Sequence, residues 1–311
     1  MPPDVRLQVD FSRIRRNILA IRAQARVDVI AVIKANAYGI GGRAVAEAVV
    51  DLVDAFYVFH VDEAVAYGLP NLSTKPTLAI HAGSLDGAEL RRQHIRPVVW
   101  TTEQARTWQH ADPVVSIDTG QQRFAASIET AESIIAHHPI HEVMTHASSL
   151  DQAQTFAAQL KRLSTRPLRA HAAGSALLGF PEAAFDAVRP GLAMYDEAVT
   201  ISTPLVEVRD STGPAGYSGF HVPRFGVILM GYSQGLRTGP CMVNGNRSRI
   251  LEVGMQTAFV EVTRDTRAGD EVALLGAGLP VTEIAKVWKT SPHEVLVCLT
   301  KDVQSRADYP R

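Results

Sequence analysis

Short apolar runs alternate with amphipathic stretches along the first two-thirds of this chain. The runs at residues 29–33, 55–60, 76–80, 96–100, 114–117, 142–145 and 168–171, with a last one near 192–195, read as buried strands. Between them, residues 11–23, 42–52, 62–67, 102–110, 128–138 and 150–162 gather Ala, Leu, Ile and Val on one helical face. About eight strand–helix units in succession predict an α/β fold, a closed (β/α)8 barrel of the TIM type more readily than an open sheet. In such a barrel the chemistry belongs at the C-terminal strand ends. Lys34, His146 and Arg189 all fall at or near such ends.

The pattern changes after about Glu197. Shorter strand-like segments come next, punctuated by Ser211-Thr-Gly-Pro, Val222-Pro, Val243-Asn-Gly-Asn, Ala268-Gly-Asp and Ala277-Gly-Leu-Pro. This predicts a C-terminal mainly-β domain with one short helical piece near 281–289, and Asn244-Gly245 suits a two-residue hairpin turn. The expected division is a barrel over 1–200 and a β-domain over 201–311, with residues 7–10 as a candidate first barrel strand.

Composition narrows the function classes. With 311 residues, 46% hydrophobic and 20% charged, the chain can bury a large core. A formal net charge of −1 argues against nucleic acid or an anionic membrane as partner. No apolar run approaches the ~20 residues that cross a bilayer, and Met1-Pro-Pro-Asp lacks the basic and apolar regions of a signal peptide. Cys241 and Cys298 lack partners at zinc spacing and read as β-strand core thiols. A cytoplasmic enzyme fits these features.

The chemistry starts at Lys34. The run Asp28-Val-Ile-Ala-Val-Ile-Lys34 delivers one ammonium from an apolar strand into Ala-Asn-Ala-Tyr38-Gly39-Ile-Gly41-Gly42. Desolvation is costly for a charged amine and lowers its pKa, and a neutral amine is a nucleophile for aldehydes. Tyr38 offers a hydroxyl to a phosphate, and the glycines allow backbone amides to approach one. A lysine able to bond an aldehyde beside phosphate-binding groups is what pyridoxal 5'-phosphate (PLP) requires.

Lys34-Ala-Asn-Ala-Tyr38-Gly-Ile-Gly resembles the lysine motif of the alanine racemases, usually K-A-[ND]-A-Y-G-H-G, with Ile40 in place of His. Val9-Asp10-Phe-Ser-Arg-Ile-Arg-Arg-Asn17 looks like that family's opening strand and first helix. Arg189-Pro190-Gly191-Leu192-Ala-Met-Tyr195 resembles V-R-P-G-[IL]-A-L-Y-G, departing at Asp196. The resemblance implies that Arg189 donates to the pyridine nitrogen and that the amides of Gly191 and Leu192 help hold the phosphate. A guanidinium stays charged at any working pH, so the nitrogen facing it stays unprotonated. Ala170-His171-Ala-Ala-Gly174-Ser175 resembles H-A-A-N-S-A, which makes Ser175 a phosphate ligand and leaves Gly174 without the usual amide. Met144-Thr145-His146-Ala147 looks like T-H-F-A, with His146 implied as the orienting partner of Arg189.

Arg123, in Asp118-Thr119-Gly120-Gln-Gln-Arg123, would face the substrate carboxylate, but Ser116 replaces the lysine whose carbamate steadies that arginine in many family members. A bound anion or a looser arginine is then expected. Tyr217, in Gly216-Tyr217-Ser-Gly219-Phe, matches the second base, which returns a proton on the face opposite Lys34; Tyr232 reads as a pocket wall. Met255, in Gly254-Met255-Gln256, would present its amide to the carboxylate. Gln256 replaces an acid, and Leu251-Glu252 replaces a Gly-Arg pair. Tyr309 resembles a terminal tyrosine that reaches the phosphate. The family arrangement implies a barrel followed by a β-domain and a head-to-tail homodimer with shared sites, in which Tyr217 and Met255 serve the other subunit. It also implies an amino-acid racemase, most simply of alanine. Ser116 and Gln256 keep open a racemase or epimerase of another amino acid, or a catalytically degenerate PLP-binding paralogue.

Overall fold

The computed structural model describes residues 5–163 and 167–301. The chain divides into two compact units. One comprises Ile14–Ala37 and Gly42–Tyr195. The other comprises, among the described residues, 5–13, Tyr38–Gly41 and 196–301.

The first unit is a closed parallel barrel. After an N-terminal strand β1 (Arg6–Val9) that belongs elsewhere, its strands are β2 (Asp28–Val32), β3 (Ala55–His60), β4 (Thr77–His81), β5 (Ile95–Val99), β6 (Val114–Ser116), β7 (Glu142–Ala147), β8 (Arg169–Gly174) and β9 (Ala187–Arg189). Each pairs with its successor, and β9 closes on β2 through Asp28↔Ala187 and Val29↔Val188. The strands are nearly continuous in apolar residues because a parallel strand in a barrel is covered on both faces. Val29, Ile30, Ala31, Val58, Leu78, Val99 and Val115 are fully buried. Helices such as Phe11–Ala25 and Leu150–Leu163 turn one apolar face inward: Ile14, Ile18 and Ile21 in the first, Ala153, Phe156 and Leu163 in the second.

The last barrel strand lies one motif earlier than the sequence pattern predicts. It is Ala187–Arg189; residues 192–195 form a 3-10 helix instead. Pro190 ends the strand by withholding an amide, and its carbonyl accepts from Val32 N at 3.0 Å. The candidate barrel strand near residues 7–10 is likewise corrected. β1 alternates in exposure and pairs antiparallel with β10 (Val199–Pro204), so it has the half-covered pattern of an antiparallel sheet.

The second unit is an antiparallel sheet ordered β1-β10-β16-β13-β14-β15-β12-β11. Its other strands are β11 (Glu207–Asp210), β12 (Arg224–Ile228), β13 (Gly239–Val243), β14 (Asn246–Val253), β15 (Ala258–Glu261) and β16 (Glu271–Leu275). Asn244 and Gly245 both take positive φ, 48° and 76°, and join β13 to β14 in the tight turn that such a pair favours. Beyond the sheet come helix Val281–Trp288 and a second helix, Pro292–Thr300, absent from the sequence reading. Ser291 caps the latter by accepting from Glu294 N. Its apolar run is short enough to pass for a strand. Cys298, expected on a strand in the core, instead sits half-buried on this helix, while Cys241 lies buried on β13.

Phe156 is fully buried and meets the Phe185 ring edge-on with centroids 5.3 Å apart. Phe156→Ala is expected to cost about 3–5 kcal/mol of barrel stability, read as a lowered urea midpoint.

Candidate active site

Lys34 lies just beyond β2 and is half-buried. Burial lowers its pKa, the charge of Arg123 lowers it further, Glu63 opposes this, and Arg189 again depresses it. The balance favours the neutral amine more than an exposed lysine would. The four residues after it form a left-handed turn. Ala35, Asn36, Ala37 and Tyr38 have φ of 53°, 54°, 52° and 58°. Each such non-glycine residue costs about 1–2 kcal/mol, so the surroundings must hold the turn. Ala37 N donates back to Ile33 O at 2.8 Å.

Arg189 ends β9, the neighbour of β2, and is 3% exposed. A buried guanidinium must spend its donors on acceptors. Nη2 donates to the carbonyls of Thr145 and Ala172 at 2.5 and 3.1 Å. Nη1 donates to the His171 carbonyl at 3.1 Å and to His171 Nδ1. The Tyr57 ring lies 5.7 Å from the guanidinium carbon. Orientation of Arg189 therefore draws on His171, to which the sequence reading gave no role. His146 sits on β7 with an exposed side chain, whereas His171 on β8 is fully buried in the barrel.

Because Nδ1 of His171 accepts from Arg189, the imidazole proton belongs on Nε2, 2.9 Å from Glu142 Oε1. Burial pushes the His171 pKa down to about 4, and Arg189 adds to the shift. Burial alone would raise the Glu142 carboxyl, but His171, Arg96 and Arg169 outweigh it and hold it well below the usual range. Arg169 Nη1 lies 2.9 Å from Glu142, and Arg96 also pairs with it. A polar line thus runs inside the barrel from Arg96 and Arg169 through Glu142 and His171 to Arg189.

Ser175 comes directly after β8 and faces the turn after β9. Its Oγ accepts from Gly191 N at 3.0 Å and Ala193 N at 3.1 Å. Leu192 opens the 3-10 helix in the same turn. A Cβ placed on Gly174 would meet nothing nearer than 3.9 Å, so glycine leaves room beside this hydroxyl and its amides.

Arg123 lies in the loop after β6, where its charge reaches Lys34 and Tyr57. Ser116 is buried, 6% exposed. The Arg123 guanidinium carbon sits 5.7 Å from the centroid of the Phe124 ring, which meets Phe59 and Trp100 edge-on at 5.8 and 5.4 Å. Among the described residues no carboxylate pairs with Arg123. Aromatic contact supports it instead.

The remaining candidates lie in the β-rich unit. Tyr38 is buried, with its ring centroid 5.7 Å from that of His293. Burial pushes its phenol up to about 12, which keeps it a neutral donor. Tyr217 is 94% exposed and Met255 62% exposed. The Tyr217 turn is held by Glu252, whose two oxygens accept from Tyr217 N at 2.8 Å and Ser218 N at 2.7 Å. Gly216, at φ 69°, allows this approach; any Cβ there would collide with Glu252 and Phe220. Ser233 N and Oγ both donate to the Met255 carbonyl. Tyr309 lies outside the described residues. An open cleft of about 600 Å³ at the N-terminal strand ends, lined by Ile95, Arg96, Asp112 and His141 among others, contains none of these residues.

Four partners were not assigned from sequence: His171, Glu142, Phe124 and Glu252. Two left a signal: His171 by its place in the Ala170–Ser175 motif, and Glu252 by the Leu251-Glu252 pair that stands where the family has Gly-Arg. Between its folded value of about 4 and the ordinary 6.5, His171 stays neutral in the native state while the unfolded chain takes up a proton. Stability should therefore rise with pH across that window and be lost as pH falls through it. His171→Asn is expected to flatten this dependence in urea midpoints measured from pH 4 to 7.

The sequence matches the family model for the alanine racemase N-terminal domain over residues 9–198 and that for the alanine racemase C-terminal domain over 215–307. Alanine racemase of Aeromonas hydrophila is 30% identical, with 95% of this chain and 97% of the relative aligned. Two solved structures share the fold. Biosynthetic alanine racemase from Pseudomonas aeruginosa has a TM-score of 0.84 at 24% identity, covering 95% of this chain and 97% of that one. Alanine racemase from Bartonella henselae with covalently bound pyridoxal phosphate has a TM-score of 0.84 at 21% identity, covering 96% and 98%. With one family model spanning the barrel and another most of the β-rich unit, and near full-length similarity at 30% identity, this chain belongs to the alanine racemase family.

Proposed function

We propose that this protein is a PLP-dependent alanine racemase that works in the cytoplasm as a homodimer with shared active sites. The observation that carries the reading is a half-buried lysine of lowered pKa just beyond β2 and a buried guanidinium at the end of the neighbouring β9, in a chain aligned with alanine racemases along nearly its whole length.

The residues present fit PLP. Lys34 supplies the amine for its aldehyde. Ser175 and the amides of Gly191 and Leu192, with room left by Gly174, suit its phosphate, and the family resemblance assigns the hydroxyls of Tyr38 and Tyr309 to the same group. Arg189 suits the pyridine nitrogen, and His146, near the end of β7, is available to the same group. Bound PLP supplies electron withdrawal from the α-carbon of the substrate. Lys34 Nζ then moves the α-proton on one face of that carbon, and Tyr217 Oη moves it on the other. Arg123, propped on Phe124, and the Met255 amide orient the substrate carboxylate.

A phenol has a pKa of about 10, so Tyr217 needs positive charge nearby to act as a base. In its own chain it is almost fully exposed. Tyr217 and Met255, both exposed on the β-rich unit, are suited to cover the barrel mouth of a second protomer and bring the phenol to the partner subunit's Lys34.

Lys34→Ala should abolish the visible absorbance of protein-bound PLP and all racemisation. Tyr217→Phe should lower kcat by about 10²–10⁴-fold while one alanine enantiomer still exchanges its α-hydrogen in deuterated water without inversion. Mixing the two variants should restore activity that neither has alone, because one site of each mixed dimer is intact. PLP-saturated wild-type protein that leaves alanine unexchanged would overturn the activity. Mixing without recovery would overturn the shared sites.

A further inference from the structure

We infer that Glu63 is a positioning residue for Lys34: its carboxylate clamps the left-handed turn after the lysine and so fixes the direction in which the amine is presented. The inference rests on the reading of Lys34 as the PLP lysine, but the clamp itself is geometric.

Glu63 lies on the helix Val61–Ala66 that continues from β3. Its Oε1 accepts from Ala35 N, the amide next to Lys34, at 2.6 Å, and from the Tyr67 hydroxyl at 3.2 Å. Oε2 accepts from Phe59 N at 2.8 Å and His60 N at 3.2 Å, at the end of β3. One carboxylate thus ties the residue after Lys34 to the neighbouring barrel strand. A carboxylate accepts at about four positions, and all are used here. Glutamine would turn an NH2 group toward one pair of these donors.

Tyr67 extends the clamp by one residue. Its oxygen accepts from Asn36 N at 2.7 Å while its proton goes to Glu63. Burial first, and Glu63 second, raise the Tyr67 pKa, so the phenol keeps the proton that this bridge uses. Asn36 Oδ1 in turn accepts from Gly42 N at 2.6 Å, the first residue of the next helix. A Cβ on Gly42 would come within 2.6–2.8 Å of the Tyr67 ring, so only glycine lets the ring sit there. The amides of Ala35 and Asn36, two of the residues in strained backbone, are therefore held by Glu63 and Tyr67. Released from them, residues 35–38 would relax toward right-handed φ and re-aim the lysine. Glu63 is also the carboxylate whose charge opposes that of Arg123 and Arg189 at Lys34.

The test compares wild type with Glu63→Gln by hydrogen–deuterium exchange of residues 33–42 and by PLP titration monitored through visible absorbance. Protection of the Ala35 and Asn36 amides should fall about tenfold or more, and PLP affinity should weaken by a similar factor. For alanine, kcat should drop more than KM changes. Adding Ala35→Gly, since glycine takes positive φ without steric cost, should recover part of the lost affinity. Wild-type exchange and affinity in Glu63→Gln would overturn the inference, as would a double variant no better than Glu63→Gln alone. If Glu63→Gln does not fold, Tyr67→Phe removes the acceptor of Asn36 N and one donor to Glu63 but leaves the carboxylate on Ala35 N. It should give a smaller loss of protection there, and unchanged protection would overturn the clamp. Exchange is read without cofactor or substrate. A wild type that fails to bind PLP, with exchange differences intact, would therefore strike the functional reading and not the clamp.

Discussion

Burial of the Arg189 guanidinium is the constraint around which the barrel interior is organised. A charge taken out of water must be met by acceptors and by opposite charge, or the fold loses several kcal/mol. Carbonyls of β7 and β8 supply the acceptors; His171 then carries the polarity onward to Glu142, which Arg96 and Arg169 keep ionised. Asp28 pairs with Arg169 and Asp112 with Arg96, so the three guanidiniums are balanced by three carboxylates. The line crosses the barrel from the end where strands begin to the end where chemistry takes place. A single tautomer of His171, with its proton on Nε2, presents an acceptor to Arg189 and a proton toward Glu142, 2.9 Å away.

A second constraint acts at Lys34, where the backbone and not a charge is the costly element. Four successive non-glycine residues in left-handed conformation do not form spontaneously. Their neighbours hold them through side-chain acceptors aimed at backbone amides. Glu252 does the same for Tyr217 and Ser218 in the β-rich unit. In both places a carboxylate accepting from backbone amides braces a turn that carries a candidate site residue. Arg123 is supported differently: with Ser116 in place of a lysine, the guanidinium lies over Phe124, itself wedged against Phe59 and Trp100.

The barrel was legible because parallel strands covered on both faces leave continuous apolar runs, and amphipathic helices separate them at regular intervals. Reading residues 192–195 as the last strand failed because an apolar run carries no record of which residues pair, and Pro190 had already ended the strand at Arg189. Helix Pro292–Thr300 was missed for a related reason, since a short apolar segment fits either period. His171 lies in a recognisable motif, yet only its burial beside Arg189 reveals what it does there.

Sequence by itself determined most of the elements of this protein, the family to which it belongs, and the residue types at its candidate site. These come from local patterns: periodicity, proline and glycine punctuation, and motifs such as Lys34–Gly41 and Arg189–Tyr195. Only the tertiary structure decided that β1 joins the sheet of the β-rich unit, that His171 and Glu142 hold Arg189, and that Glu63 and Glu252 brace turns distant in the chain. Those contacts join residues far apart in sequence. Their energies come from desolvation and strain, which exist only once the chain has closed around them.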